Sequence, residues 1–103
     1  DPKYIGRYNG NIFERDAAYH QGTVWPWLMG AFVEAYLKVH HFNPEAKKIC
    51  AAYLQPLILH LVDSGCMGSI SEIFDGNSPH KPAGCFAQAW SVGEILSIIK
   101  KWY

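Results

Sequence analysis

Between Thr23 and Lys101 the apolar residues recur at three- and four-residue steps in three separate blocks, a periodicity that confines the chain to a helical fold. The first block predicts a helix over 23–41. Thr23 offers a capping hydroxyl, Pro26 falls in the first turn, where a missing N–H costs nothing, and Trp25, Leu28, Met29, Phe32, Tyr36 and Val39 form one face. Trp27, Ala31, Val33 and Leu37 put apolar groups on the other faces, so this helix should be buried on most sides, with Gly30 where another backbone comes close. Asn43-Pro44-Glu45 marks a second start: a cap, a proline at the first helical position, and a carboxylate at the positive end of the dipole. It predicts a helix over 43–64 carrying Ile49, Ala52, Tyr53, Leu57 and Leu61, kinked at Pro56 and stopped by Gly65. The third helix, over 86–101, sets Phe86, Ala89, Trp90, Gly93, Leu96 and Ile99 along one face and ends on Lys100 and Lys101, which suit its negative pole.

The remaining segments lack helical periodicity. In residues 1–22, Asn9-Gly10 is a hairpin-turn signal between Tyr4-Ile5 and Ile12-Phe13, so a short N-terminal hairpin or irregular segment is expected. Residues 66–85 are punctuated by Gly68, Asp75-Gly76, Ser78-Pro79, Lys81-Pro82 and Gly84, and read as one long loop. Loops of this length are uncommon in compact domains unless they are functional. The expected fold class is therefore all-α, with about three helices, in a single unit spanning 1–103.

Nine Lys plus Arg balance nine Asp plus Glu, leaving no basic field to attract nucleic acid or an anionic membrane surface. Half of the residues are hydrophobic and 15% aromatic, an excess that implies apolar surface for another part of a larger protein to cover. With Asp1-Pro2-Lys3 at the start and no initiator Met, the chain reads as a piece of a longer one, and self-association of the isolated piece is expected. There is no signal peptide and no apolar run long enough to span a bilayer. Cys50, Cys66 and Cys85 are odd in number and form no CxxC pair, which suits reduced thiols in a cytoplasmic protein better than a disulfide framework; the one pairing considered is Cys66 with Cys85.

Two segments hold residue types that do chemistry. Arg15-Asp16-Ala17-Ala18-Tyr19-His20-Gln21-Gly22-Thr23-Val24-Trp25-Pro26-Trp27 sets ionisable and amide side chains directly before two tryptophans. Aromatic faces beside hydrogen-bonding groups suit a sugar; equally, Trp25 and Trp27 are core anchors and His20 a satisfied loop residue. Gly68-Ser69-Ile70-Ser71-Glu72-Ile73-Phe74-Asp75-Gly76 places Glu72 among apolar neighbours, where partial desolvation would make it a better proton acceptor; a lone loop Glu is otherwise solvated surface. Asp75-Gly76 reads as a turn. His60, His80, Cys66 and Cys85 match no compact zinc spacing, and no phosphate loop, dinucleotide fingerprint or Gly-x-Ser-x-Gly is present, so neither metal nor cofactor is expected.

These segments carry a family resemblance. Tyr19-His20-Gln21-Gly22-Thr23-Val24-Trp25-Pro26-Trp27 resembles the helix-leading motif of glycogen debranching enzyme C-terminal (amylo-alpha-1,6-glucosidase) domains. Gly68-Ser69-Ile70-Ser71-Glu72-Ile73-Phe74-Asp75-Gly76 is similar to that family's late active-site loop, and Gln88-Ala89-Trp90-Ser91 to the segment after it. The resemblance implies a fragment of an (α/α)6 toroid and an inverting hydrolysis of alpha-1,6-linked glucose on glycogen or related alpha-glucans. Such a reaction uses an acid and a base carboxyl roughly 6.5–9.5 Å apart, which leaves room for the attacking water. By resemblance Glu72 is the base; Asp16, His20, Gln21, Trp25 and Trp27 lie near the sugar; Trp90 is packing; and the acid lies upstream of residue 1. The partners implied are an alpha-glucan and the remainder of the catalytic domain.

Two rivals stand beside this reading. Other toroid glycosidases, trehalase-like or oligosaccharide glucosidases, also place a Trp-Pro pair before an inner helix, but the Ser-Ile-Ser-Glu-Ile-Phe-Asp-Gly loop favours the debranching family. A non-catalytic carbohydrate-binding or interaction module would instead carry surface aromatic platforms and no recessed carboxylate.

Overall fold

Asn11, and not the Asn9-Gly10 pair, decides how the N-terminal segment folds. In the computed structural model, which describes residues 1–103, the expected hairpin is replaced by a helix, α1, over Ile12–Gln21. Asn11 Oδ1 accepts from the Phe13 and Glu14 amides at 2.9 and 3.1 Å, and Glu14 Oε2 reaches back to the Asn11 amide at 2.7 Å. This reciprocal box satisfies amides that have no partner within the helix. Gly10 does adopt the positive φ a turn needs (+88°), but it steers the chain into α1 and not back on itself.

Helix α2 spans Leu28–Val39, five residues later than Thr23 suggested. The Thr23 hydroxyl donates to the Tyr19 carbonyl at 3.0 Å and so closes α1. Val24 is extended and bonded in both directions to Phe74 (2.8 and 2.9 Å). A residue held in that bridge cannot enter a helix, so Trp25-Pro26-Trp27 forms a tight turn ahead of α2. Helix α3, Pro44–Asp63, agrees with its start and stop signals: Asn43 Oδ1 accepts from the Ala46 amide at 2.8 Å, and Gly65 is left-handed just past the end (φ +66°). The expected break in regularity at Pro56 leaves the residues on both sides of it helical. Helix α4 spans Ala89–Trp102. The long loop contains two short antiparallel strands, β1 (Ile73–Phe74) and β2 (Pro82–Ala83), in register Ile73↔Ala83 and Phe74↔Pro82. The chain is thus mostly helical, with four helices and not three.

Helix α2 packs against both α3 and α4. The core is formed by Val33 and Leu37 of α2, Ala46, Cys50 and Leu54 of α3, Ile95 and Ile98 of α4, and Ile70 from the loop. The buried faces differ from those expected. On α2, Gly30, Val33 and Leu37 are inside, while Leu28, Phe32 and Val39 are 48%, 47% and 73% exposed. On α4, Ser91, Ile95 and Ile98 are inside, Trp90 and Leu96 face outward, and Phe86, expected on the same helix, lies exposed ahead of it. Both helices are apolar on more than one side, so periodicity alone did not single out the face that meets a neighbour. Gly30 does mark a close approach, but the group that meets it is the Glu94 side chain of α4 and not a backbone.

The first eight residues lie along the loop. Asp75 accepts from the Tyr8 amide (2.8 Å) and from Arg7 (3.1 Å), and the Asn77 amide donates to the Gly6 carbonyl (3.0 Å). Gly22 and Gly76 permit this crossing: a methyl on the first would overlap the Ile5 carbonyl oxygen, and on the second the Gly22 carbonyl oxygen. No helix is long and apolar enough to cross a membrane, and all three cysteines are free.

Candidate active site

Glu72 lies in the bend directly ahead of β1. The Glu72 amide donates to the Cys85 carbonyl at 2.8 Å, and the Cys85 amide returns a bond to Glu72 Oε2 at 2.9 Å. A side chain that folds back on its own cross-strand neighbour has little freedom left. Glu72 Oε1 accepts from the Tyr19 hydroxyl at 2.8 Å and, at a longer 3.4 Å, from Gln88 Nε2. Gln88 is itself held by its amide, which donates to the Ile70 carbonyl at 2.9 Å. Gly84 makes room for this arrangement, since its φ is +70° and a methyl there would overlap Glu72 Oε2. The half-buried carboxylate is therefore ringed by donors, which fix its orientation.

Behind Glu72, the buried His60 of α3 fixes the start of the loop. The Ser71 amide donates to His60 Nε2 at 3.3 Å, so that nitrogen carries no proton; Nδ1–H then donates to Ser64 Oγ at 2.6 Å. Ser71 Oγ also lies 3.1 Å from Nε2. Burial pushes the His60 pKa below its ordinary value, in keeping with a neutral ring. The Phe74 ring meets His60 edge-on at 4.9 Å.

An aromatic wall runs outward from the carboxylate. Tyr19 meets Trp25 edge-on at 4.5 Å, Trp25 meets Trp90 edge-on at 6.2 Å, and Trp90 stacks on Trp27 at 5.4 Å with 28° between planes. Burial, followed by the hydrogen bond to Glu72 and the negative charge on Glu72, pushes the Tyr19 phenol up to about 12, so it remains a donor at any ordinary pH.

Of the residues singled out from sequence, Glu72, Trp25 and Trp27 are thus linked through Tyr19 and Trp90. Asp16 and His20 instead face solvent on α1 and pair with each other at 3.8 Å, their side chains 76% and 66% exposed. The His20 ring still touches Tyr19 edge-on at 5.3 Å. Gln21 is exposed, and its carbonyl accepts from the Ile5 amide at 3.3 Å. Asp75 is buried away from Glu72's donors; the Tyr8 amide first, and then Arg7, hold its pKa below the usual carboxylate range. Sequence reasoning missed Tyr19 and Gln88, although both stand inside the motif segments; Trp90, expected to pack, does stack on Trp27 while half of it stays exposed. No cluster of three or more His, Cys, Asp or Glu side chains converges as a metal site would require.

No solved structure matches the chain. A family model described as amylo-alpha-1,6-glucosidase matches residues 1–97, a span that takes in α1, the Trp-Pro turn, the Glu72 loop and the start of α4. With so little of the chain outside that match, the protein belongs to the amylo-alpha-1,6-glucosidase family.

Proposed function

We propose that this chain carries the general base and part of the sugar pocket of an inverting alpha-1,6-glucosidase acting on glycogen or a related alpha-glucan. The observation that carries the reading is the Glu72 carboxylate, held from three directions by Tyr19, Cys85 and Gln88 and opening beside an aromatic wall. A carboxylate offers about four acceptor sites, so three donors leave one for a water. Glu72 would take a proton from that water as its oxygen attacks the anomeric carbon, while a carboxylic acid on the opposite face protonates the departing glucan oxygen. Trp25 and Trp27 would border the bound glucose, and His20, Gln21 and Asp16, on α1 with Tyr19, are the further residues proposed near the sugar. A surface-platform module without catalysis is disfavoured because Glu72 is half-buried and held in one orientation by its donors.

The acid is assigned to the rest of the catalytic domain, an (α/α)6 toroid of which residues 1–103 form the C-terminal part. Asp75 is held ionised by Tyr8 and Arg7, and Asp16 is exposed on α1, so neither suits the role. The rest of the toroid would also cover the outward apolar side chains of α2 and α4. Three free thiols fit a reducing compartment such as the cytoplasm. In the intact enzyme Glu72→Gln keeps the shape but loses the base, and turnover on a branched limit dextrin should fall by roughly 10²–10⁴-fold. Near-normal glucose release from that variant removes Glu72 from the mechanism.

A further inference from the structure

We propose that His60, on α3, is a positioning residue for the reaction: through the Ser71 amide it sets where the Glu72 carboxylate stands, and Ser64 holds it in the tautomer this needs. The proposal rests on Glu72 acting at the reacting sugar. His60 is 6% exposed and Ser71 2%, so the two must satisfy each other and not solvent. A buried imidazole is costly unless its nitrogens are bonded, and a leucine would fill the same space against Phe74 without that cost. Both nitrogens are committed. Nδ1–H donates to Ser64 Oγ at 2.6 Å, which leaves Nε2 as an acceptor for the Ser71 amide at 3.3 Å and the Ser71 hydroxyl at 3.1 Å. Gly65 backs the ring: a methyl on it would come within 3.0 Å of Cε1 and 3.1 Å of Nε2.

Ser71 directly precedes Glu72, and the bonds around the carboxylate show what His60 adds. The Glu72 amide donates to the Cys85 carbonyl, the Cys85 amide to Glu72 Oε2, and the Gln88 amide to the Ile70 carbonyl. These contacts join the loop to itself and to the head of α4, so they fix Glu72 relative to neighbours that can travel with it. His60 ties the same stretch of chain to the last turn of α3. Its ring also meets Phe74 edge-on at 4.9 Å, and Phe74 pairs with Val24, directly ahead of Trp25. One buried side chain thus touches the segments that carry both the carboxylate and the aromatic wall. A shifted base is felt in the chemical step, where misplacement by about 1 Å can cost roughly a hundredfold.

The test uses the intact enzyme and a branched limit dextrin. His60→Leu keeps the packing on Phe74 and loses the acceptor, so kcat should fall by roughly ten- to hundredfold with KM changed by less than about twofold. His60→Gln, whose side-chain oxygen can take the Ser71 amide, should recover kcat to within about threefold of the unmodified enzyme. Ser64→Ala spares the ring but frees its tautomer, and should lower kcat by about threefold. Where His60→Leu does not fold, an unchanged kcat in Ser64→Ala overturns the proposal. On a Glu72→Gln background His60→Leu should cause no further loss. A loss carried by KM, a Gln variant as slow as the Leu variant, or a full loss on the Glu72→Gln background overturns the proposal. Amide exchange across residues 70–74 reads the hold on the loop without turnover, and should quicken in His60→Leu and return to normal in His60→Gln. Quickened exchange supports the His60 anchor even where Glu72→Gln turns over normally and the base assignment fails; unchanged exchange overturns it.

Discussion

At the residue scale, the Glu72 carboxylate is held by groups distant in the chain: the Tyr19 hydroxyl reaches it across 53 positions, and His60 meets the amide of the adjoining Ser71. No local pattern encodes a hydrogen bond between such distant residues; only the folded topology brings them together. His60 gives this layer a pH signature. Its folded pKa lies below the ordinary 6.5, so between those two values the unfolded chain binds more protons than the folded one. Stability from the neutral ring is therefore complete above about 6.5 and is lost as pH falls through the folded pKa. Protonation puts a hydrogen on Nε2 facing the Ser71 amide, so two donors oppose each other at the base of the Glu72 loop. The denaturation midpoint should fall on acidification from neutrality toward pH 5 (roughly the lower end of the histidine range), and His60→Gln should flatten that fall. An unchanged slope in the variant rules His60 out as its source. The Asp75 contribution is separate, being present above the ordinary 3.8 and lost only in stronger acid.

At the scale of elements, signals that act within a few residues were read well and those that depend on neighbours were not. Asn43-Pro44 capped α3 as expected, because the bond from Asn43 to Ala46 needs nothing outside the helix. The start of α2 moved from Thr23 to Leu28 because the bridge between Val24 and Phe74 is a long-range pairing. At α1 the hairpin expected from Asn9-Gly10 gives way to a capping box between Asn11 and Glu14 that the structure reveals. The box won because the positive φ of Gly10 serves both outcomes, and only the box satisfies the first amides of a helix. Removing it by Asn11→Ala should cost about 1 kcal/mol, and Asn11→Asp should keep most of the stability. Because Tyr19 lies in the last turn of α1, faster amide exchange across Ile12–Gln21 in Asn11→Ala is expected to accompany weaker ordering of Glu72. Equal denaturation midpoints for Asn11→Ala and the unmodified chain discard the cap as a source of stability.

At the scale of the molecule, the geometry is that of a slab needing a cover. Only 17 of 103 residues are buried, the extents are 45 × 33 × 20 Å, and the radius of gyration is 14.6 Å; a compact domain of this length has about 13 Å. A groove of about 810 Å³ between α2, α3 and the 79–82 segment is walled by Leu28, Met29, Phe32, Tyr53 and Leu57. The high aromatic content foretold such surface, although the sequence did not show which faces would carry it. Cut free, this surface should drive self-association at micromolar concentration, and a clean monomer across a wide concentration range in sedimentation would count against the cover. The same incompleteness predicts that the 103-residue chain alone does not hydrolyse glycosidic bonds at a useful rate. An inverting reaction needs an acid and a base on opposite faces of one sugar ring. Within the chain Glu72 is the carboxylate proposed as the base, Asp75 is fixed as an ionised clamp, and Asp16 points to solvent. Without the opposite wall the substrate is not held in a reactive pose, and correct positioning can be worth as much as about 7–11 kcal/mol of the barrier. Weak binding on Trp25 and Trp27 can persist, because stacking needs only an ordered ring. Purified chain incubated with a branched limit dextrin should release no more glucose than its Glu72→Gln counterpart. Release above that control would place the acid within residues 1–103 and make Asp16 and Asp75 the first residues to mutate.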